Sequence, residues 1–172
     1  MFRSILLLSL VTVALGTGCG RPFKVATAPG MVELDNQEPE YAYRAMTPEG
    51  VVMGVRVVET KGRGNVDFWT RATKLRMEEL NGYALLGTSE VKAKDGTVGR
   101  ELTFGHDEKS KPYVYDVRLF VAQDRLFVVE AGGPRDEVKR YQSNLDFIEA
   151  SLRVKCGTFV SPVLASRTCN RW

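Results

Sequence analysis

Between Tyr83 and Val129 short apolar or alternating stretches follow one another, each separated from the next by a turn signal of a few residues. No other feature narrows the fold so far, because strands joined by such short turns pair antiparallel. The first stretch, Tyr83 to Lys94, ends on Lys94-Asp95-Gly96-Thr97, where Asp-Gly suits a type I′ hairpin turn. Thr97–Phe104 is the returning strand. The polar stretch from Gly105 to Pro112 reads as a loop. Tyr113, Tyr115, Val117, Leu119 and Val121 then line one face of a further strand. Ala122-Gln123-Asp124-Arg125 turns the chain, and Leu126-Phe127-Val128-Val129 reads as a nearly continuous buried strand. Gly132-Gly133-Pro134 is expected to break it.

Two helices and a hairpin complete the pattern. Tyr41–Met46 and Val51–Glu59 flank Thr47-Pro48-Glu49-Gly50, which suits a type I turn. An earlier strand is expected near Phe23–Thr27. After Gly62-Arg63-Gly64, Asn65 can cap a helix from Val66 to about Asn81, with Phe68, Trp69, Ala72, Leu75 and Leu80 on its apolar side. Arg76 and Glu79 intrude on that stripe. The last helix opens at Pro134 and carries Val138, Tyr141, Leu145, Ile148 and Leu152 at helical spacing. The order is strands, helix, four strands in a meander, helix. The fold class expected is α+β, an antiparallel sheet covered by helices.

The start of the chain speaks of address rather than shape. Arg3 precedes an apolar run from Ile5 to Leu15. As a helix that run spans roughly 16 Å, too short for a hydrocarbon core of about 30 Å. A charged start, a short apolar core and small residues read as a secretory signal. Leu15-Gly16-Thr17-Gly18-Cys19-Gly20 resembles the bacterial lipoprotein signal, in which the cysteine thiol receives a diacylglyceryl group and becomes the first residue. That resemblance implies residues 1–18 as signal peptide, lipidation of Cys19 and anchoring to a membrane without spanning it. An ordinary signal cut after Gly16 or Gly18 is the alternative. Gly20 after the cysteine, where Asp favours inner-membrane retention, implies the outer membrane, facing the periplasm.

With Cys19 lipidated, Cys156 and Cys169 remain as one pair, and an oxidising compartment permits their disulfide. Residues 19–30 read as a tether, 23–155 as the domain, and 156–172 as a basic C-terminal tail with a disulfide loop. The net charge of +3 gives no case for nucleic acid. From Arg153 onward Arg153, Lys155, Arg167 and Arg171 meet no acidic residue; they read as a solvated extension or a contact for anionic headgroups or an acidic partner.

The order of elements resembles the PsbP/Mog1-like (DcrB-like) domain, an α/β/α sandwich. The stretches that carry the likeness are FWTRATKLRMEEL with the hairpin before it, and RLFVVEAGGPRDEVKRYQSNLDFIEASLRV at the end. The resemblance spans roughly Phe23 to Val154. It implies that fold and a binding or accessory role, and transfers no functional residue.

Catalytic motifs are not evident. His106 is flanked by Asp107 and Glu108, with Ser110 near, but no G-x-S-x-G elbow surrounds that serine. A hydrolase built on His106 is one reading, a solvated loop the other. Zinc on Cys156, Cys169 and His106 has neither a metal-site spacing nor a fourth ligand. Glu78/Glu79 and Asp107/Glu108 read as surface charge. No metal and no cofactor is expected. Trp69, Arg63 and His106 are the candidate binding residues. The function expected is a non-enzymatic, lipid-anchored envelope protein that binds an envelope protein partner. The alternative is a small-molecule or lipid carrier with a pocket between sheet and helices.

Overall fold

The meander forms, and it is longer than its apolar blocks. A computed structural model describes residues 21–35 and 39–155. Its strands are β1 (Val32–Glu33), β2 (Tyr43–Met46), β3 (Val52–Glu59), β4 (Ala84–Lys92), β5 (Val98–Glu108), β6 (Lys111–Ala122) and β7 (Arg125–Pro134). They make one seven-stranded sheet in the order β1-β2-β3-β7-β6-β5-β4, with every neighbouring pair antiparallel. The helices are α1 (Val66–Leu75), α2 (Arg135–Arg140) and α3 (Gln142–Ser151). None of the described helices is long and apolar enough to cross a membrane.

Alternation along the strands divides the core in two. Met53 and Val55 of β3, Phe127, Val129 and Ala131 of β7, and Phe120 and Ala122 of β6 face α2 and α3, meeting Val138, Leu145, Ile148 and Leu152. Burying each of those large apolar side chains contributes about 2 kcal/mol. The intervening residues Leu102, Phe104, Val117, Leu119, Leu126 and Val128 make the second cluster with Met77 and Trp69, under α1. Helices therefore cover both faces, the α/β/α arrangement expected.

Several local expectations are corrected. The segment near Phe23–Thr27 is not a strand of the sheet. Only Lys24 pairs there, with Arg153, while Phe23 is buried in the core. Gly105 to Glu108 continues β5 rather than forming a loop, and pairs with Lys111–Val114. The chain reverses on Lys109 and Ser110, both with positive φ, as Gln123 and Asp124 do in the next hairpin. Those are the type I′ turns. At Asp95-Gly96 only the glycine has positive φ, and the Asp95 carboxylate instead accepts from the Thr97 amide at 3.0 Å. Gly132 and Gly133 do not break β7; they lie within it.

The first helix also departs from its stripe. Asn65 caps it as expected, its side chain accepting from the Phe68 amide at 2.9 Å. Regular α-helix ends at Leu75, and Arg76–Leu80 form a π-helical turn closed by the Tyr83 amide on the Met77 carbonyl at 3.0 Å. The wider turn slips the helical phase. Met77 swings inward, while Phe68, Leu75 and Leu80 stay 49%, 55% and 78% exposed. The intrusion of Arg76 and Glu79 on the apolar stripe marks this slip in the sequence.

Candidate functional site

Beyond the end of α1, on the same face of the sheet, β2, β3, β6 and β7 are left uncovered. A carboxylate is buried there. Glu130 of β7 is only 5% exposed, in the middle of a strand that is otherwise apolar from Leu126 to Ala131. A buried charge of this kind requires a partner. Arg56 of β3 supplies it, donating from Nε to one carboxylate oxygen at 2.9 Å and from a terminal nitrogen to the other. The Tyr41 hydroxyl donates to the same carboxylate at 2.9 Å, and the Tyr115 phenol lies within the field of its charge.

Two glycines explain how the tyrosines reach it. A side chain at Gly54 would place its Cβ 2.6 Å from Tyr41 Cε1, and one at Gly132 would lie 2.7 Å from Tyr115 Cδ2. The rings therefore lie against the sheet where no Cβ stands, with their hydroxyls turned to Glu130. That is why a glycine is kept inside β7, where it would ordinarily weaken a strand. Gly133 is confined in another way: its Cβ would meet Val51 Cα at 3.2 Å.

The electrostatics follow from burial. Desolvation, reinforced by Glu130, pushes the Tyr41 phenol up to about 12 and the Tyr115 phenol higher still. Burial works against the charge of Arg56, but its bonds to Glu130 outweigh that and raise its pKa. Both phenols are thus held neutral around the Arg56–Glu130 pair.

The walls enclose an open bowl of about 290 Å³ lined by Tyr41, Arg44, Tyr83, Tyr113, Tyr115 and Glu130, with Gly54, Gly132 and Gly133 in its floor. Tyr83 follows the π-helical turn and stands 5.9 Å from the Tyr115 ring and 4.8 Å from the His106 ring. The Arg44 guanidinium lies over the Tyr41 ring at 5.3 Å, within cation–π range.

Of the three candidate binding residues, the fold brings one here. His106 sits in β5, half-buried, opposite Tyr113 and stacked on Tyr83. The polar residues after it suggested a loop, but they are the outward and terminal positions of two long strands. Asp107, Glu108 and Ser110 make no hydrogen bond to it among the described residues, so no triad is assembled. Trp69 and Arg63 lie toward the other end of α1. Trp69 is wedged between α1 and the sheet with its ring edge-on to Phe68 at 5.2 Å. Arg63 is exposed in the loop, its Nε donating to the Thr60 carbonyl at 3.5 Å. Cys19, Cys156 and Cys169 lie outside the described residues. Among the described residues no group of three metal-ligating side chains forms.

Sequence reasoning missed Glu130, Arg56 and Tyr41, while it placed Tyr113 and Tyr115 on one strand face. The signal available was the single carboxylate inside LFVVEA, followed by two strand glycines. The expected pocket between sheet and helices is also displaced: the bowl lies on the sheet beyond the helix.

No protein-family model and no curated protein matches the sequence. Solved structures do. The chain is similar to LpqN of Mycobacterium tuberculosis, described as involved in cell envelope biogenesis, with TM-score 0.61, 12% identity and coverage of 80% of this chain and 86% of that one. It is similar to the cyanobacterial PsbP of Synechocystis, with TM-score 0.53, 14% identity and coverage of 80% and 95%. It is also similar to the Ran-binding protein Mog1p of Saccharomyces cerevisiae, with TM-score 0.53, 14% identity and coverage of 77% and 90%.

Proposed function

The chain has the PsbP/Mog1-like fold, and on that premise we propose that it is a non-enzymatic accessory module of the bacterial cell envelope that binds a protein partner through the tyrosine-walled bowl. The observation that carries this reading is the fully engaged Glu130. Its charge is balanced by Arg56, which bonds both carboxylate oxygens, and Tyr41 donates to one of them, so the group fixes the wall of the bowl. A bowl of about 290 Å³ sits at the bottom of the range for small-molecule pockets and fits one ring or one side chain. Rigid tyrosine walls around such a recess suit an anchor residue of a protein partner. The envelope setting draws on the lipoprotein-like signal and on the likeness to LpqN. In this reading Cys19 carries the lipid, Cys156 and Cys169 are bonded in an oxidising compartment, and the domain hangs from the outer membrane into the periplasm.

A photo-crosslinking residue replacing Tyr113 in the full chain tests the bowl. The expected result is one discrete adduct in envelope fractions that is not formed from Phe147, exposed on α3 across the sheet. Adducts of equal yield from both positions, or none from Tyr113, overturn it. Mass spectrometry of the mature N-terminus tests the lipid. An acylated Cys19 is expected, and an unacylated terminus elsewhere removes the anchor.

A further inference from the structure

We propose that the surface where the two ends of the described domain meet is a membrane-docking face for anionic phospholipid. Lys24 and Arg153 exchange both backbone bonds, Lys24 N to Arg153 O at 3.0 Å and Arg153 N to Lys24 O at 2.9 Å. Side chains of such a directly opposed pair project on the same side. Phe23, Leu152 and Val154 are buried and Val25 packs on the core, so alternation sends Lys24 and Arg153 outward.

The hairpin between β4 and β5 is fastened to the same place. Lys94 N donates to the Leu152 carbonyl at 2.8 Å, and Asp95 Oδ2 accepts from the amides of Val154 at 2.6 Å and Lys155 at 2.7 Å. Four cations from three separate stretches, Lys24, Lys94, Arg153 and Lys155, are thereby gathered. Lys94, Arg153 and Lys155 are exposed, and among the described residues they make no ion pair. The Asp95 carboxylate is turned inward onto the amides of Thr97, Val154 and Lys155 and the Thr97 hydroxyl.

The bilayer is the occupant favoured by position. Lys24 follows Cys19 by five residues, so it lies within about 18 Å of that residue even if the link is fully extended. This step rests on the proposed lipid on Cys19. The bowl stands at the opposite end of the strands. Tyr113 is seven residues along β6 from Phe120, which pairs with Gly99 beside the hairpin, a distance of roughly 23 Å. Docking of the cationic end therefore points the bowl away from the membrane.

The test is flotation of the full chain with phosphatidylcholine vesicles, with or without phosphatidylglycerol, against the combined variant Lys94→Glu, Arg153→Glu, Lys155→Glu. The N-terminal segment is common to both chains, so its contribution cancels. Three cations at an anionic surface give the wild type roughly a hundredfold preference for the phosphatidylglycerol vesicles over the variant, and high salt removes it. A Gln version of the three substitutions is expected to lose the same preference with unchanged circular dichroism. Equal binding of wild type and variants, or a preference that persists in high salt, overturns the proposal. So does wild-type binding to polyglutamate but not to anionic vesicles, which would assign the face to an acidic protein. The crosslinking at Tyr113 and the mass of the N-terminus are separate readouts, so failure here leaves those readings standing.

Discussion

The guanidinium of Arg56 on β3 bonds both carboxylate oxygens of Glu130 on the adjacent strand β7. The two residues are diagonal neighbours, since Gly54 is the residue opposite Glu130 and Val128 the one opposite Arg56. Losing Arg56 leaves Glu130 buried without its cation, and losing Glu130 leaves Arg56 partly buried with only the longer contact to exposed Glu40 at 3.7 Å. Glu130→Ala is expected to destabilise the fold by about 3 kcal/mol, read as a lower urea midpoint at unchanged slope. The paired change Arg56→Met with Glu130→Leu is expected to cost less than Glu130→Ala, because no lone charge remains.

The two ring-bearing glycines separate steric cause from strand weakness. The three atoms nearest a Cβ at Gly54 belong to the Tyr41 and Arg44 side chains, whereas a Cβ at Gly132 also meets the Val114 carbonyl at 3.1 Å. Gly54→Ala is expected to cost about 1–3 kcal/mol, the range for overpacking, and to become nearly neutral when Tyr41 is truncated to Ala. Gly132→Ala is expected to keep part of its cost in a Tyr115→Ala background. Denaturant unfolding of the two double-mutant cycles checks both outcomes.

Asp95 confers a pH dependence on the C-terminal end of the domain. Burial works against its charge, but hydrogen bonds from Thr97, Lys155 and Val154 outweigh this and hold the carboxyl below the ordinary range. A folded-state value below the unfolded one stabilises above the unfolded value, about 3.9, and the stabilisation is lost as pH falls through the folded value. Asp95→Asn is therefore expected to lower the thermal midpoint at neutral pH. Its gap to the wild type is expected to close in acid, as thermal melts across that window would show.

Arg118 of β6 ties α3 to the sheet. It bonds Glu101 of β5 at 2.7 Å on one side and Glu149 of α3 on the other, with all three side chains mostly buried. Glu149→Ala is expected to cost about 2–3 kcal/mol, less than a fully buried pair because Glu101 still holds Arg118. Amide exchange in Gln142–Ser151 is expected to rise more than in β7.

How far the residues alone revealed the molecule follows from particular stretches. The hairpin around Pro48-Glu49-Gly50, the cap at Asn65 and the buried stripe Val138, Leu145, Ile148 and Leu152 were legible, because each depends on neighbours within a turn or a strand. The extension of β5 through His106 was not, because Asp107 and Glu108 are polar in either reading. The exposure of Leu80 was hidden too, since a single π-helical turn moves the stripe beyond Leu75 without changing its composition. The bowl was the least visible feature. Glu130, Arg56, Tyr41 and Tyr115 lie up to 89 residues apart and share no spacing.

The sequence by itself determined the antiparallel meander, the presence of helices before and after it, and the number of apolar faces. Those depend on short-range turn chemistry and on the two periods, near 2 and 3.6, with which side chains repeat. Only the tertiary structure decided that a carboxylate in an apolar strand meets its guanidinium and two phenols, and that cations from three separate stretches share one end. Both depend on register between strands distant in the chain, where burial makes an unpaired charge costly and gives the partner its meaning.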